Sequence, residues 1–543
     1  MAIRRLLKLP DYLAGSIPCY KRVAMSSAKA TKLRRLDQFR RRLPYASASA
    51  LSAVLKDIEE HGAPELHDRK DFKSARDATA ASETPYGPFL QTIELEKIDS
   101  TMMPFIIVLP FAMLWFLMST VNKFSDVAWS RLAEHPASAD LPWSLILHSD
   151  EITPGNVLAH DVRRKSQAVY YSFLELGSDV LCNEDAWFCV TAKRSSELKP
   201  VKGCMAQVFG RILHIMFGGS GSNFHEGGVQ LQSPSGAVYR FHAKLAIILQ
   251  DGSAHKYTWH CKGDAGMKMC MLCRNVFTRS STLVDEDGSE LLACDIIDES
   301  KLDIATDAQL KKVVRDLNRH KATDPPPFFK FREQAYGFTF QPYSLLADMS
   351  LDAIIQPASQ FMHDWMHAMF VSGIFHTLMH LLMEALRDGG LADTYETLRG
   401  YVALWNCPVR VHMSTLSECF APSKRKVHMK DKRFKCTASE GLTLYSIIAL
   451  YLALVCIPAG VAVKACTVSL AFADAVDAIV GAQYKRSSPN LIRKCVGRFL
   501  KLYVELWGYD RTHQEFHGLP ILLPIWKDLG RFFHVSSMSG NIA

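Results

Sequence analysis

Two apolar runs that each end on an aspartate constrain this chain's fold more than any other feature. They are Trp143-Ser-Leu-Ile-Leu-His-Ser-Asp150 and Lys244-Leu-Ala-Ile-Ile-Leu-Gln-Asp251. Each has the length and composition of a buried strand, and turn formers follow at once: Thr153-Pro-Gly-Asn156 after the first, Gly252-Ser253 after the second. Open α/β sheets gather their ligands at the carboxyl ends of strands. Two carboxylates delivered there repel each other unless a cation lies between them, so the pair predicts a divalent-metal site for phosphoryl chemistry. The same residues would serve equally as helix N-caps or turn formers.

Composition sets the frame around these runs. With 543 residues, 48% hydrophobic and 22% charged, the chain has the make-up of a folded protein with room for about three or four domain-sized units. Its net charge of +8 is concentrated at one end. Residues 1–42 carry twelve Lys/Arg against Asp11 and Asp37, which leaves the remainder close to neutral. Lys32, Arg34, Arg35, Arg40, Arg41 and Arg42 form the densest part of this arm, which suits a polyanion, nucleic acid first among them. An Arg-rich, acid-poor start also fits a membrane surface or a presequence. Fourteen cysteines without framework spacing and no legible secretory signal predict reduced thiols in cytosol or nucleus.

Patterning predicts five regions: a basic helical region over 1–90, a hydrophobic helical linker over 91–140, an α/β core over 141–280, a helical insertion over 281–435 and a helical C-terminal region over 436–543 that returns to the core. Within the core, strand-like runs at Leu145–His148, Ala168–Glu175 and Ala186–Thr191 precede a helix at Val201–Phe217, and the run ending in Asp251 follows. Three strands, a helix and an acid-ended strand are the order of an RNase H-like mixed sheet flanked by helices. In that fold the first and fourth strands are neighbours, which would bring Asp150 and Asp251 together.

Further motifs follow the second aspartate. Cys270-Met-Leu-Cys273 puts two thiols on one turn, half of a tetrahedral zinc site that Cys261, His260 or Cys294 would complete. His363 and His367, and again His376 and His380, are spaced to share a helix face. Two apolar stretches, Met102–Met118 and Gly441–Val463, approach membrane-spanning length, although Pro104, Pro110 and Pro458 interrupt them. The second starts just after Ser439 and Glu440, a polar cap suited to a core helix.

Taken in order, Leu145–Asp150, Tyr170–Gly177, Leu249–Asp251, Cys270-x2-Cys273 and Asp364-Trp-Met-His367 with Gly373 beyond it resemble the large cut-and-paste DNA transposases of the CACTA-related group. Plavaka-type and Kyakuja–Dileera–Zisupton-type elements are the most similar. The likeness runs from about residue 140 to 540 and rests on order and spacing, since each motif alone is short. It implies a catalytic core that cuts and joins DNA at element ends with two Mg²⁺ ions, in the nucleus. Asp150 and Asp251 would be the first two metal ligands. The third acid follows the helical insertion in such enzymes, and Glu440 is the candidate for it. Asp364 and His367 match a family motif position without an assigned role.

Two departures stand against full activity. His513-Gln-Glu-Phe-His517-Gly-Leu-Pro520 resembles a C-terminal family segment, but the Glu-Arg-x-His stretch expected after it is missing, as in a truncated or decayed copy. No DNA-reading module precedes the core. The sequence therefore leaves three classes open: a DDE-type transposase, a non-catalytic nucleic-acid-binding descendant, and an integral membrane protein with helices near 102–121 and 441–463. Self-association into a homo-oligomer is open in each.

Overall fold

The computed structural model describes residues 48–63, 68–80, 83–152, 165–219, 221–278, 299–371, 373–405, 413–484 and 486–508, with residues 36, 281, 283 and 292–293 between them. The basic residues Lys32, Arg34, Arg35, Arg40, Arg41 and Arg42, the loop Thr153–Asn156, Cys294 and the segment His513–His517 lie outside these residues. The chain divides into two compact units after Thr79. The first contains helix α1 (Ala48–His61) and all but the last residue of α2 (Arg69–Ala80).

Early in the second unit comes an antiparallel hairpin, β1 (Leu90–Glu96) and β2 (Met102–Val108), followed by α3 (Pro110–Ser119) and α4 (Lys123–Glu134). The stretch from Met102 to Met118, read from sequence as one apolar helix, is thus half strand. Phe105 and Ile107 are buried while Ile106 between them is exposed, a two-residue period that suits a strand. Pro110 then starts the helix at a position where its missing N–H costs nothing.

A five-stranded mixed sheet forms the centre. Its strands are β3 (Trp143–Ile152), β4 (Ser166–Phe173), β5 (Phe188–Arg194), β8 (Ala243–Gln250) and β9 (Phe361–His363). Helix α5 (Met205–Phe217) and the hairpin β6 (Val229–Gln232) and β7 (Val238–Phe241) intervene between β5 and β8. Across the sheet the order is β9-β8-β3-β4-β5. Strand β4 runs antiparallel to both β3 and β5, whereas β8 lies parallel to β3 and β9 parallel to β8. Leu145, Ile146 and Leu147 are all buried, as in a strand covered on both faces. On one face Leu145 and Leu147 join Tyr171, Phe209, Ile212 and Trp259 in the main core; on the other Ile146, Ile247 and Met362 form a small separate cluster.

Helices follow: α6 (Gly252–Trp259), α7 (Asp307–Thr323), α8 (Pro326–Tyr336), α9 (Trp365–Met369), α10 (Ile374–Asp388), α11 (Thr394–Ala403), α12 (Pro422–Asp431), α13 (Ala438–Tyr451), α14 (Val463–Gln483) and α15 (Pro489–Trp507). From Met369 onward they enclose a second core that includes Phe370, Leu382, Leu444, Phe472 and Phe499. The fifth strand therefore comes from within the segment that patterning assigned to a helical insertion. Three residues are too few to show a strand period. His363 and His367 do not share a helix face, because a strand-to-helix junction separates them.

Among the described residues three segments are long and apolar enough to cross a membrane by length and composition: Trp365–Asp388, Ala438–Cys456 and Val463–Ala482. The first and third are largely buried against their neighbours, while Ala438–Cys456 is only 39% buried. The apolar run at 441–463 is not one helix. It ends in a π-helical turn at Leu452–Cys456, and Pro458 sits in the bend before α14.

Candidate functional site

Register brings three aspartates level. Leu245 pairs with Leu145 but Ile247 pairs with Ile146, so β8 carries one extra residue, Ala246, as a bulge. Leu249 consequently stands opposite His148, and two residues further on each strand come Asp251 and Asp150. On the other side of β8, Gln250 pairs with His363, so Asp251 is level with Asp364. Without the bulge Asp251 would stand level with Glu151 instead. The Asp364 N–H donates to the Gln250 carbonyl (2.9 Å), and the Gln250 amide donates to Ser149 Oγ (2.6 Å) and Thr258 Oγ1 (2.8 Å), which ties the three strand ends together. His255 fixes α6 on β9: its Nε2 lies 2.9 Å from the Met362 carbonyl, and its ring stacks on Phe361 at 3.9 Å.

Each aspartate uses one oxygen locally. Asp251 is the N-cap of α6, its Oδ1 accepting from Ala254 N (2.6 Å), and Asp364 is the N-cap of α9, its Oδ1 accepting from Met366 N (2.8 Å). Asp150 Oδ1 accepts from Glu151 N (2.7 Å). The capping role considered from sequence is therefore real for Asp251, and it leaves the second oxygen available. Asp364 Oδ2 is 2.7 Å from His367 Nδ1, and Asp251 Oδ2 is 3.8 Å from His367 Nε2.

Electrostatics join these groups into one cluster. The hydrogen bond to Asp364 raises the His367 imidazole above its usual value, and the Asp251 and Asp150 charges act in the same direction. Burial pushes the Asp364 carboxyl upward, but its hydrogen bond and charge attraction to His367, the Met366 N–H and the His148 charge together outweigh this and hold it below the usual range. His148 is pushed down by burial against the pull of Asp150, Asp364 and Asp251, and its ring stacks on Tyr170.

The donor set fits a hard divalent cation by its chemistry: three level carboxylates and an imidazole at the carboxyl ends of three parallel strands. Among the described residues, however, no three His, Cys, Asp or Glu side chains close to metal-ligating distance. His367 lies between two of the acids, so an ion is held only once side chains have turned.

Glu440 is placed differently from the expectation. It is the third residue of α13, where its Oε2 accepts from Thr437 N (2.7 Å) while Thr437 Oγ1 accepts from Glu440 N (3.3 Å), a reciprocal capping box. Its carboxylate also hydrogen-bonds and repels the Cys419 thiol, whose pKa burial and this charge push up to about 12. The acid that the structure sets beside Asp251 is Asp364. Its sequence signal was the same as for the other two, an apolar run closed by Asp, but shortened to Phe361-Met-His363. Replacing Thr437 with Ala should cost about 1 kcal/mol of stability through loss of the cap; equilibrium denaturation giving no change would remove the capping role.

The two cysteines of the Cys-x2-Cys turn do converge. Cys270 and Cys273 are buried, and a hydrogen bond from the Cys273 thiol lowers the Cys270 pKa, with Lys268 acting the same way against burial. The Cys261 backbone bridges to Phe338, as the Cys273 backbone does to Ile304. His260 is neutral, held by burial at about 4, and its Nε2 is buried with no hydrogen-bond partner among the described residues. Of the remaining histidine pair, His376 Nε2 lies 3.7 Å from Cys436 Sγ, and both His376 and His380 are buried in the helical core.

Compared with known proteins, the chain matches no family model and no curated sequence.

Proposed function

We propose that this protein is a transposase-like enzyme that cleaves and transfers DNA strands by metal-dependent phosphoryl transfer. The observation that carries the reading is the level alignment of Asp150, Asp251 and Asp364 at the ends of three neighbouring parallel strands. The sheet order and directions, with three antiparallel strands followed by two parallel ones on the far side of the first, support assignment of the core as RNase H-like. Asp150, Asp251 and Asp364 would hold two Mg²⁺ ions, which when bound supply charge neutralisation at the scissile phosphate and an activated water. The chain's own residues orient the site. The caps of α6 and α9 fix one oxygen of Asp251 and Asp364, and the His367 imidazole stands between their second oxygens. Cys270 and Cys273 would supply two thiolates to a structural zinc. DNA is the partner, and the nucleus the compartment in which it is met.

The test is direct. Purified protein should nick supercoiled plasmid in Mg²⁺ or Mn²⁺ and not in EDTA, with the activity co-eluting with the protein. Equal nicking in EDTA, or none with any divalent ion across a range of DNA substrates, would sink the catalytic reading.

One observation favours a second reading. On the Ala438–Cys456 segment Leu450 and Leu454 are exposed, Leu454 by 65%, so this flank could lie against a membrane. Resistance of the protein to alkaline carbonate extraction would support that reading over the first.

A further inference from the structure

Helix α12 and the turn after it read Pro422-Ser-Lys-Arg-Lys-Val-His-Met-Lys-Asp-Lys-Arg-Phe-Lys435, seven cations and one acid in fourteen residues. Six of the cations, Lys424, Arg425, Lys426, Lys430, Lys432 and Lys435, are exposed. Among the described residues the helix is held from one side. His428 is buried against Tyr395 and Phe434, with its Nδ1 3.3 Å from Tyr395 Oη, and the Phe434 N–H donates to the His376 carbonyl. Asp431, the sole acid, pairs with Lys435, and Arg425 lies over the Tyr395 ring at 5.5 Å. Among the described residues Lys424, Lys426, Lys430 and Lys432 meet no carboxylate.

This arrangement opposes the helix's own stability. Lys424, Arg425 and Lys426 occupy its first turns, where the macrodipole is positive and no acid offsets them. Lys426 and Lys430 are four apart and repel across one face. A solvated face gains nothing from such a concentration of one sign. A polyanion relieves it.

We propose that α12 is a docking surface for the phosphate backbone of double-stranded DNA, separate from the strand-end acids. The choice of DNA as the polyanion rests on the function proposed above; the cationic face itself does not. Ten helical residues span about 15 Å, and that length of duplex axis carries about nine phosphates, of which one face can meet three or four. The contacts are to phosphate and not to bases, so they add affinity without sequence preference.

The experiment uses the full chain and a 30-bp duplex, followed by fluorescence anisotropy over a range of salt concentrations. The variant K424Q/R425Q/K426Q/K430Q should bind at least about tenfold more weakly near physiological salt. Its log–log salt slope should fall by about three, since each lost phosphate contact removes about 0.9. K426R/K430R, which keeps the charge, should bind as the parent does, and an unchanged thermal midpoint shows that the fold survives. D251N serves as the second background: helix-dependent binding that persists there while no cleavage is found in the parent overturns the catalytic reading and keeps this one. Unchanged affinity and slope in the glutamine variant overturn the docking surface, as does loss confined to binding of phosphatidylserine vesicles.

Discussion

Asn in place of Asp251 or Asp364 should abolish metal-dependent strand cleavage while leaving the fold intact. Each aspartate divides its two oxygens between a helix cap and the site. Asn keeps an oxygen that can accept from Ala254 or Met366, and it is as good an N-cap as Asp, so folding and DNA binding should be retained. What is lost is the charge. A ligand charge in a metal-assisted displacement is worth several kcal/mol at the transition state, so the rate should fall about a thousandfold or more at about 1.4 kcal/mol per tenfold. Asp150→Asn should behave alike. Glu440→Gln is the informative control, because that carboxylate is engaged by Thr437 in a capping box. Near-parental cleavage in E440Q together with dead D364N would establish Asp364 as the third acid. The reverse pattern would return the role to Glu440.

Acid should unfold the second unit steeply. Burial holds the His260, His363, His376 and His428 imidazoles down at about 4, and His255 well below its usual value. Each is neutral in the folded chain, whereas in the unfolded chain it takes a proton below about pH 6.5. The unfolded state then binds more protons, so stability falls as pH drops from about 6.5 towards 4. His367 works in the opposite sense: its raised value means that its contribution is present below about pH 6.5 and is lost as pH rises through its folded value. Below about pH 6.5 His367 is protonated in both states and drops out, so these five histidines, with His148 acting in the same direction, set a net uptake approaching about five protons on unfolding, each worth about 1.4 kcal/mol per pH unit. A domain with ordinary stability of about 5–15 kcal/mol should lose most of it within two pH units. Urea midpoints compared at pH 7.5 and 5.5 provide the check. Equal midpoints would mean that these histidines are protonated or solvated in the folded protein.

The sequence determined the central strands and their acid ends, because a two-sided buried strand shows itself as a continuous apolar run and a carboxylate closing it stands out. Leu145–Asp150 and Leu245–Asp251 could be read that way, and so could the helix that separates the second from the three strands before it. The capping pattern Thr437-x-x-Glu440 is equally local, and it explains why an acid expected at the site belongs to its own helix. Tertiary structure decided the rest. The acid-ended run at Phe361–His363 is too short to mark a fifth strand, since three residues become a strand only through pairing with β8 more than a hundred positions away. The bulge at Ala246 likewise depends on the partner strand, and it alone brings Asp251 level with Asp150. The hairpin at 90–108 exists because its alternate residues find a core to enter, which an apolar count cannot reveal. Alignment across strands is set by pairing energies between distant segments, so the sequence could name two of the acids but only the fold could place Asp364 and His367 beside them.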